Sequence, residues 1–452
     1  MATYTEFFVW NDTDYADASD ANGGGPLSAI TATGGPHYVI AAGAGTGCDS
    51  DGAGTTLTDD SGNNWLGVLV DDWLCFDPTG TANLTRATSA GGGATITVSP
   101  AVALGASDKA CNVGGAWALP QKAATVMTTS FVNSASSVPR CNIRNSTTAF
   151  AGAGEGEVDM ANSGTLPIPL TFQGYTTTAG DGGMAEIDGD GLSNHSGTWD
   201  TNNQEHWVVK DLYIHGDQAG VEGIYALNGH HSRIERCKVK VTGAGSDAIY
   251  AANSSGMWIH GCWVTDASDD GIVGGYYGAV THNFVESAGG NGIEIVSPSR
   301  VSVRHNIING AGAYGIWIAN DYMDVSYNYV YNTTDSGIYF DDLDGEYQGA
   351  CEGNILDNCG STSSHWGIEA EDADKYLKMV TNNAFWNCGG DGGGSSQQTR
   401  NVLEALYSVT LSASPAMDAL NGDFRLNDIA GAGLSCQNSG FPSDASQAIW
   451  SG

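Results

Sequence analysis

The chain has 452 residues, 64 of them glycine and only 15% charged, a profile that excludes helical bundles and coiled coils and favours an all-β chain with many tight turns. Lys and Arg total 16 against 51 Asp and Glu, for a net charge of −35. That balance repels phosphate backbones and anionic lipid, so nucleic acid and membranes are excluded as partners, and it suits salty water or a dense assembly. The start, Met1-Ala2-Thr3-Tyr4-Thr5-Glu6, lacks the basic and apolar regions of a signal peptide, and no apolar run reaches the length of a membrane span. Synthesis in a cytoplasm is expected, with mostly free thiols. No Cys-x-x-Cys pair occurs, so a zinc site is not expected.

Residues 1–111 carry short β-like runs, such as His37–Ile40, Trp65–Val70 and Ala94–Val98, and predict a small N-terminal β domain. Trp117–Met127 predicts a short helix, with Pro120 suited to the first turn and alanines to its continuation. Such a helix would cap the open end of a following solenoid.

From about Pro139 the chain repeats with a period of about 22 residues, as solenoids do. One recurring element is a small residue followed by Ile: Gly223-Ile224, Ala248-Ile249, Gly271-Ile272, Gly292-Ile293, Gly315-Ile316, Gly337-Ile338 and Gly367-Ile368. A second brings Cys237, Cys262, Asn283, Asn306, Asn328, Asn354 and Asn383 to one position. Stacking one coil per repeat, with strands about 4.8 Å apart, turns that position into an internal amide ladder in which Cys fits as a small buried residue. The fold class is therefore all-β: a right-handed parallel β-helix over 112–434, with the small N-terminal β domain, the short capping helix, and a cap or tail over 435–452. The extra residues around 341–347 or 360–365, and at 389–398, read as loops on one face.

Asn112–Lys122, Leu170–Gly183 and Gly422–Gly433 resemble segments of right-handed parallel β-helix proteins of bacteriophages. The resemblance covers about 112–434. It implies a virion component (tailspike, fibre or surface decoration), a homotrimer, contacts with other virion proteins, location in the virion, and binding to host-surface glycan. The same fold serves pectate lyases and polygalacturonases, so fold does not decide function. An extracellular adhesive protein is a further alternative.

The residue after each recurring Ile should face outward. That column reads Tyr225, Tyr250, Val273, Glu294, Trp317, Tyr339, Glu369. Aromatic faces stack on sugar rings, so Trp317, Tyr339, Tyr225, Tyr250 and Glu294 are candidate glycan contacts. Glu369, Glu371 and Asp341 are candidate catalytic carboxylates for a polysaccharide depolymerase, since glycoside hydrolysis uses two carboxyl groups about 5–9 Å apart. The competing reading is that with 51 acidic residues neighbouring carboxylates arise by chance, and that aromatic ladders stabilise solenoid faces without a ligand. The polygalacturonase residue set is not present in order, and Asp269-Asp270 sits at an ordinary turn position. A lyase wants cations beside its carboxylates, and the upper coils offer only Lys375 and Lys378. Glu186–Gly191 and Asp342–Glu346 resemble half of a calcium loop but lack its closing Glu. No cofactor is expected, nor a metal site from His230, His231, His282, His305 and His365, which should sit beside turns facing solvent.

Overall fold

A computed structural model describes residues 3–438 except 12–13, 21, 23, 25–29, 37, 43, 63–64, 71, 78–82, 103–104, 130–136, 152–155, 193–194, 297–299, 320–322, 342–349, 361–364, 372–379, 390–398 and 401–404. Two units divide the chain, one of residues 1–188 with 206–212 and the other of 189–205 with 213–452.

The first unit holds a seven-stranded antiparallel sheet in the order Tyr38–Ile40, Cys111–Val113, Trp73–Phe76, Asn83–Ala87, Thr95–Ser99, Thr56–Asp59, Cys48–Ser50. Its core gathers Ile40, Leu57, Trp65, Leu74, Phe76, Ile96 and Val113. Trp65–Val70 is not a strand: Trp65 enters the core while Leu66, Leu69 and Val70 are exposed, so an apolar run there forms a turn around one anchoring ring. The same unit has parallel strands Thr3–Val9, Ser137–Arg144, Leu170–Tyr175 and Trp207–Lys210. The first seven described residues therefore pair with strands from the repeat region, and Cys111–Val113 lies in the antiparallel sheet. The helix spans Pro120–Val126 with Pro at its start. The Gln121 side chain accepts from the backbone N–H of Asp159 (2.6 Å) and donates to its carbonyl (3.0 Å).

The second unit is a parallel β-helix. Each coil contributes one strand to each of three sheets, as in Ala279–Thr281, Phe284–Ala288 and Ile293–Ile295. In the first sheet Ile234, Ile259, Val280, Val303, Val325, Cys351 and Val380 stack in register. The second stacks Val239, Val264, Val285, Ile308, Val330, Leu356 and Phe385. The third stacks Ile224, Ile249, Ile272, Ile293, Ile316, Ile338 and Ile368. All are buried, and this continuous apolar interior supplies the main driving force. The glycine before six of these seven isoleucines has a steric cause. A Cβ on Gly315 would meet Val330 at 2.3 Å and the Gly337 carbonyl at 2.5 Å.

The turn from first to second sheet repeats one left-handed residue: Arg236, Gly261, His282, His305, Tyr327, Gly353, Asn382. The next position is the amide column. Asn283 donates to Asn306, Asn306 to Asn328, Asn328 to Asn354 and Asn354 to Asn383, each through both backbone N–H and side-chain amide at 2.9–3.0 Å. Each asparagine also donates to a first-sheet carbonyl of the preceding coil, as Asn328 to Val303 (2.9 Å). The Cys262 thiol makes the corresponding contact to the Ile234 carbonyl at 3.7 Å, and Cys237 is likewise buried. All ten cysteines are buried thiols.

Residues 416–438 leave the coil. Ala416–Asp418 pairs antiparallel with Asp423–Leu426, and Gly433–Asn438 is helical. Phe424 lies on Tyr329 of the second sheet, ring centroids 5.0 Å apart, in a cluster with Ile307, Ile355 and Ala384. Beneath it the buried Asp357 carboxylate accepts from Tyr329 (2.6 Å) and Ser414 (2.7 Å).

Candidate functional site

Asp200, after Trp199, and the residues after the third-sheet isoleucines lie in one register: Asp200, Tyr225, Tyr250, Val273, Glu294, Trp317, Tyr339, Glu369. Tyr225 and Tyr250 stack in parallel at 5.4 Å. Val273 is buried, and Trp317 is half-buried in the coil above Glu294.

Three residues before this column runs a second one, at the turn that leads into each strand. Its side chains cap the backbone of the coil above. Glu222 accepts from the N–H of Asp247 (2.5 Å), Asp247 from that of Asp270 (2.9 Å), Asp270 from that of Asn291 (2.5 Å), and Asn291 from that of Tyr314 (3.2 Å). Capping consumes one oxygen of each group and fixes the remaining one. Asn291 also donates to Glu294 (2.6 Å), which brings the two columns together.

The result is a carboxylate cluster of Glu222, Asp247, Asp269, Asp270 and Glu294. Burial, then the Asp247 charge, pushes Glu222 up to about 8. Burial, then the charges of Asp270 and Asp269, pushes Asp247 up to about 7. Burial, then a hydrogen bond with Asp270 and its charge, pushes Glu294 up to about 8. Asp269 is exposed and is raised by partial burial and then by Asp270. One oxygen from each of Asp247, Asp269 and Asp270 lies within 4.8 Å of the others, a spacing a hard cation bridges. A shallow groove of about 430 Å³, lined by small residues that include Ser268, Gly289, Gly312 and Thr334, lies at the turn from second to third sheet and takes in none of these carboxylates.

Higher on the face, Tyr314 stacks on Tyr339 at 4.4 Å, and His365 meets Tyr314 edge-on. Burial, then Asp335, Glu369 and Asp341, pushes the Tyr314 phenol up to about 12. Burial, then Tyr314, Asp341, Glu371 and Glu369, raises Tyr339 as well. The three expected catalytic carboxylates therefore do gather around Tyr339, but not as an open outward set. Glu369 is only 5% exposed and accepts from the buried Ser336 hydroxyl at 2.5 Å. His365 stands between Asp335 (3.1 Å) and Glu369 (3.8 Å), so it is not a solvent-facing turn residue. The reason is local: the segment containing His365 and Trp366 folds over the strand, and the Trp366 N–H is held by Ser336. Glu371 is exposed and Asp341 half-buried.

Of the other histidines, His231 is exposed as expected, while His230, His282 and His305 are half-buried. His282 and His305 meet at a tilt, ring centroids 4.9 Å apart, His305 lies flat on Tyr327 at 5.4 Å, and His230 accepts from the N–H of Ser255. Glu186 and Asp188 lie in the strand Ala185–Asp188, and Asp190 and Gly191 in the turn that follows it. Asp342–Glu346, Lys375 and Lys378 fall outside the described residues.

Glu222, Asp247, Tyr314, Ser336 and the role of Asp269-Asp270 are not brought out by the sequence alone. The signal that finds them is a hydrogen-bonding side chain recurring three residues before each outward residue.

No curated protein matches the chain. Among solved structures, the catalytic domain of Agl-KA is similar at 9% identity over 80% of this chain and 86% of that one, with a TM-score of 0.33. The Gp54 tailspike of Acinetobacter baumannii bacteriophage AP22, in complex with capsular saccharide, is similar at 8% identity over 85% of this chain and 65% of that one, with a TM-score of 0.29. The catalytic unit of the GH87 alpha-1,3-glucanase of Streptomyces thermodiastaticus strain HF3-3 gives 11% identity, 83% and 87% coverage and a TM-score of 0.29. The family model for the right handed beta helix region matches residues 131–325 and 279–404, and the chain belongs to that family.

Proposed function

We propose that the third-sheet face binds polysaccharide and hydrolyses a glycosidic bond at the cluster around Glu294 and Asp270. The observation that carries this reading is the placement of Glu294, whose carboxyl burial and Asp270 push up to about 8, beside Asp270 and held by Asn291 on an aromatic-lined face. Perturbed carboxyl pairs of this kind divide acid and base roles. Glu294 is the proton donor to the leaving oxygen. Asp269, the exposed member, is the carboxylate that activates water or attacks the sugar. Tyr225 and Tyr250 below, with Trp317 and Tyr339 above, offer ring faces to successive sugars. The backbone capping ladder holds the acids in place before substrate arrives, which is the preorganisation that electrostatic catalysis needs.

The test is release of new reducing ends from a broad polysaccharide panel. Glu294→Gln is expected to lower the rate at least 100-fold while retention in affinity electrophoresis persists. Trp317→Ala is expected to weaken retention about tenfold. A rate unchanged in Glu294→Gln, or no cleavage of any glycan, overturns the hydrolytic reading.

A second reading concerns where this activity works: a virion tailspike, fibre or decoration, present as a homotrimer beside other virion proteins. It is supported by the phage-like segments at 112–122, 170–183 and 422–433 and by a solenoid interior that suits a stiff projecting element. Light scattering of the full chain and peptide mapping of purified particles test it. A monomer absent from any particle removes it.

A further inference from the structure

We propose that the polysaccharide taken by this face is neutral or bears amino groups, and carries no uronate, sulfate or phosphate. The inference rests on the proposed glycan-binding role of the third sheet and adds the charge class of the ligand. Its basis is the composition of the face. From Asp200 to Glu371, the described residues of the third-sheet strands, and of the turns that lead into them, include no Lys or Arg. Carboxylates recur on it in nearly every coil, from Glu222, Asp247 and Asp270 below to Asp335, Glu369 and Glu371 above. The imidazole in the upper patch, His365, lies against two carboxylates, Asp335 and Glu369.

Lys238, Lys240 and Arg304 of this unit lie on the other two sheets. Lys238 sits between the rings of Tyr213 and Trp263 on the second sheet, at 4.6 and 4.8 Å. Lys240 pairs with Asp266 (3.1 Å), and Arg304 pairs with Asp324 on the first sheet. An anionic polymer laid along the third sheet would meet carboxyl groups in most coils from Glu222 to Glu371, with coils about 4.8 Å apart, and would reach an Arg of that sheet only at Arg400, in register with Glu369 at its far end. Juxtaposed like charges are a strong discriminator between partners. A neutral sugar meets hydroxyl acceptors and ring faces instead, and a protonated amino sugar gains an ionic partner.

The experiment measures binding of the full chain to glycans offered in neutral, amino-bearing, uronate and sulfated forms, at low and high salt. Retained glycans are expected to be neutral or amino-bearing, with uronates and sulfates at least tenfold weaker and improving as salt screens repulsion. The double variant Asp341→Asn/Glu371→Gln is expected to narrow that gap several-fold. Tighter binding of a uronate or sulfated glycan than of its neutral counterpart, weakened by salt, overturns the inference while leaving the glycan-binding reading intact. Absence of binding to every form defeats that reading itself, and the charge preference falls with it.

Discussion

The amide column makes a quantitative demand at Asn328. Its side-chain oxygen receives the Asn306 backbone N–H and side-chain amide, both at 3.0 Å, and its amide donates to the carbonyl of Val303 at 2.9 Å and to Asn354 at 3.0 Å. Asn328→Ala removes all four at a site only 1% exposed. The Asn354 oxygen keeps its bond from the residue-328 backbone N–H, but the Asn306 N–H, the Asn306 amide and the Val303 carbonyl lose a buried partner. At about 1–3 kcal/mol for each unsatisfied buried group, with some relaxation, the cost is about 3–6 kcal/mol. Asn328→Cys should cost less, because Cys262 shows that a thiol at this position still reaches the carbonyl of the preceding coil. Solenoid coils contact mainly their neighbours, so the damage should be local. Hydrogen exchange read at individual amides, beside urea unfolding, is the assay. Asn306 and its neighbours should lose protection while strands several coils away keep theirs. A cost below about 1 kcal/mol with unchanged exchange at Asn306 would refute the reasoning.

Two further outcomes follow from buried acids. Asp357 has its carboxyl raised to about 6, by burial and against the hydrogen bonds from Tyr329 and Ser414. From an unfolded value of 3.8, a rise of about two units is worth at most about 3 kcal/mol. The folded state favours the protonated form, so this group destabilises above pH 6 and the penalty fades as pH falls toward 4. Asp357→Asn should stabilise the protein at pH 7.5 by about 1–3 kcal/mol and have little effect at pH 4; an equal effect at both, measured by thermal unfolding, would contradict the account. In the carboxylate cluster, Glu222, Asp247 and Glu294 are raised to about 8, 7 and 8. The folded chain then binds more protons than the unfolded chain between about pH 4 and 8, and stability falls as pH rises through that window. Asp247→Asn should flatten this slope in a melting-temperature series; a slope steeper than in the parent protein would count against the cluster as its source.

What was legible in the sequence is whatever every coil must repeat. Gly-Ile recurs because the third-sheet backbone passes so close to the second-sheet side chains that a Cβ clashes, as at Gly315. Asparagine recurs because one turn geometry leaves the same two groups to bond in each coil. These periodic demands specify the β-helix, its registers and the outward column from Tyr225 to Glu369 without any knowledge of contacts. The Pro120 helix is equally local, being a matter of one ring and several alanines.

Features that occur once depended on the tertiary structure. Glu369 has an outward position in its strand yet is covered, because a single segment carrying His365 and Trp366 lies over it. Asp269-Asp270 looks like an ordinary turn until coils stack, and only then do these two raise the proton affinity of Asp247, and Asp270 that of Glu294, each partner more than twenty residues away in the chain. The stacking of His305 on Tyr327 requires the left-handed backbone that each turn adopts, which His and Tyr do not announce. Periodicity determines which face a residue is assigned to; the burial and charge it meets there come from neighbours one coil away, and those were decided only when the chain closed on itself.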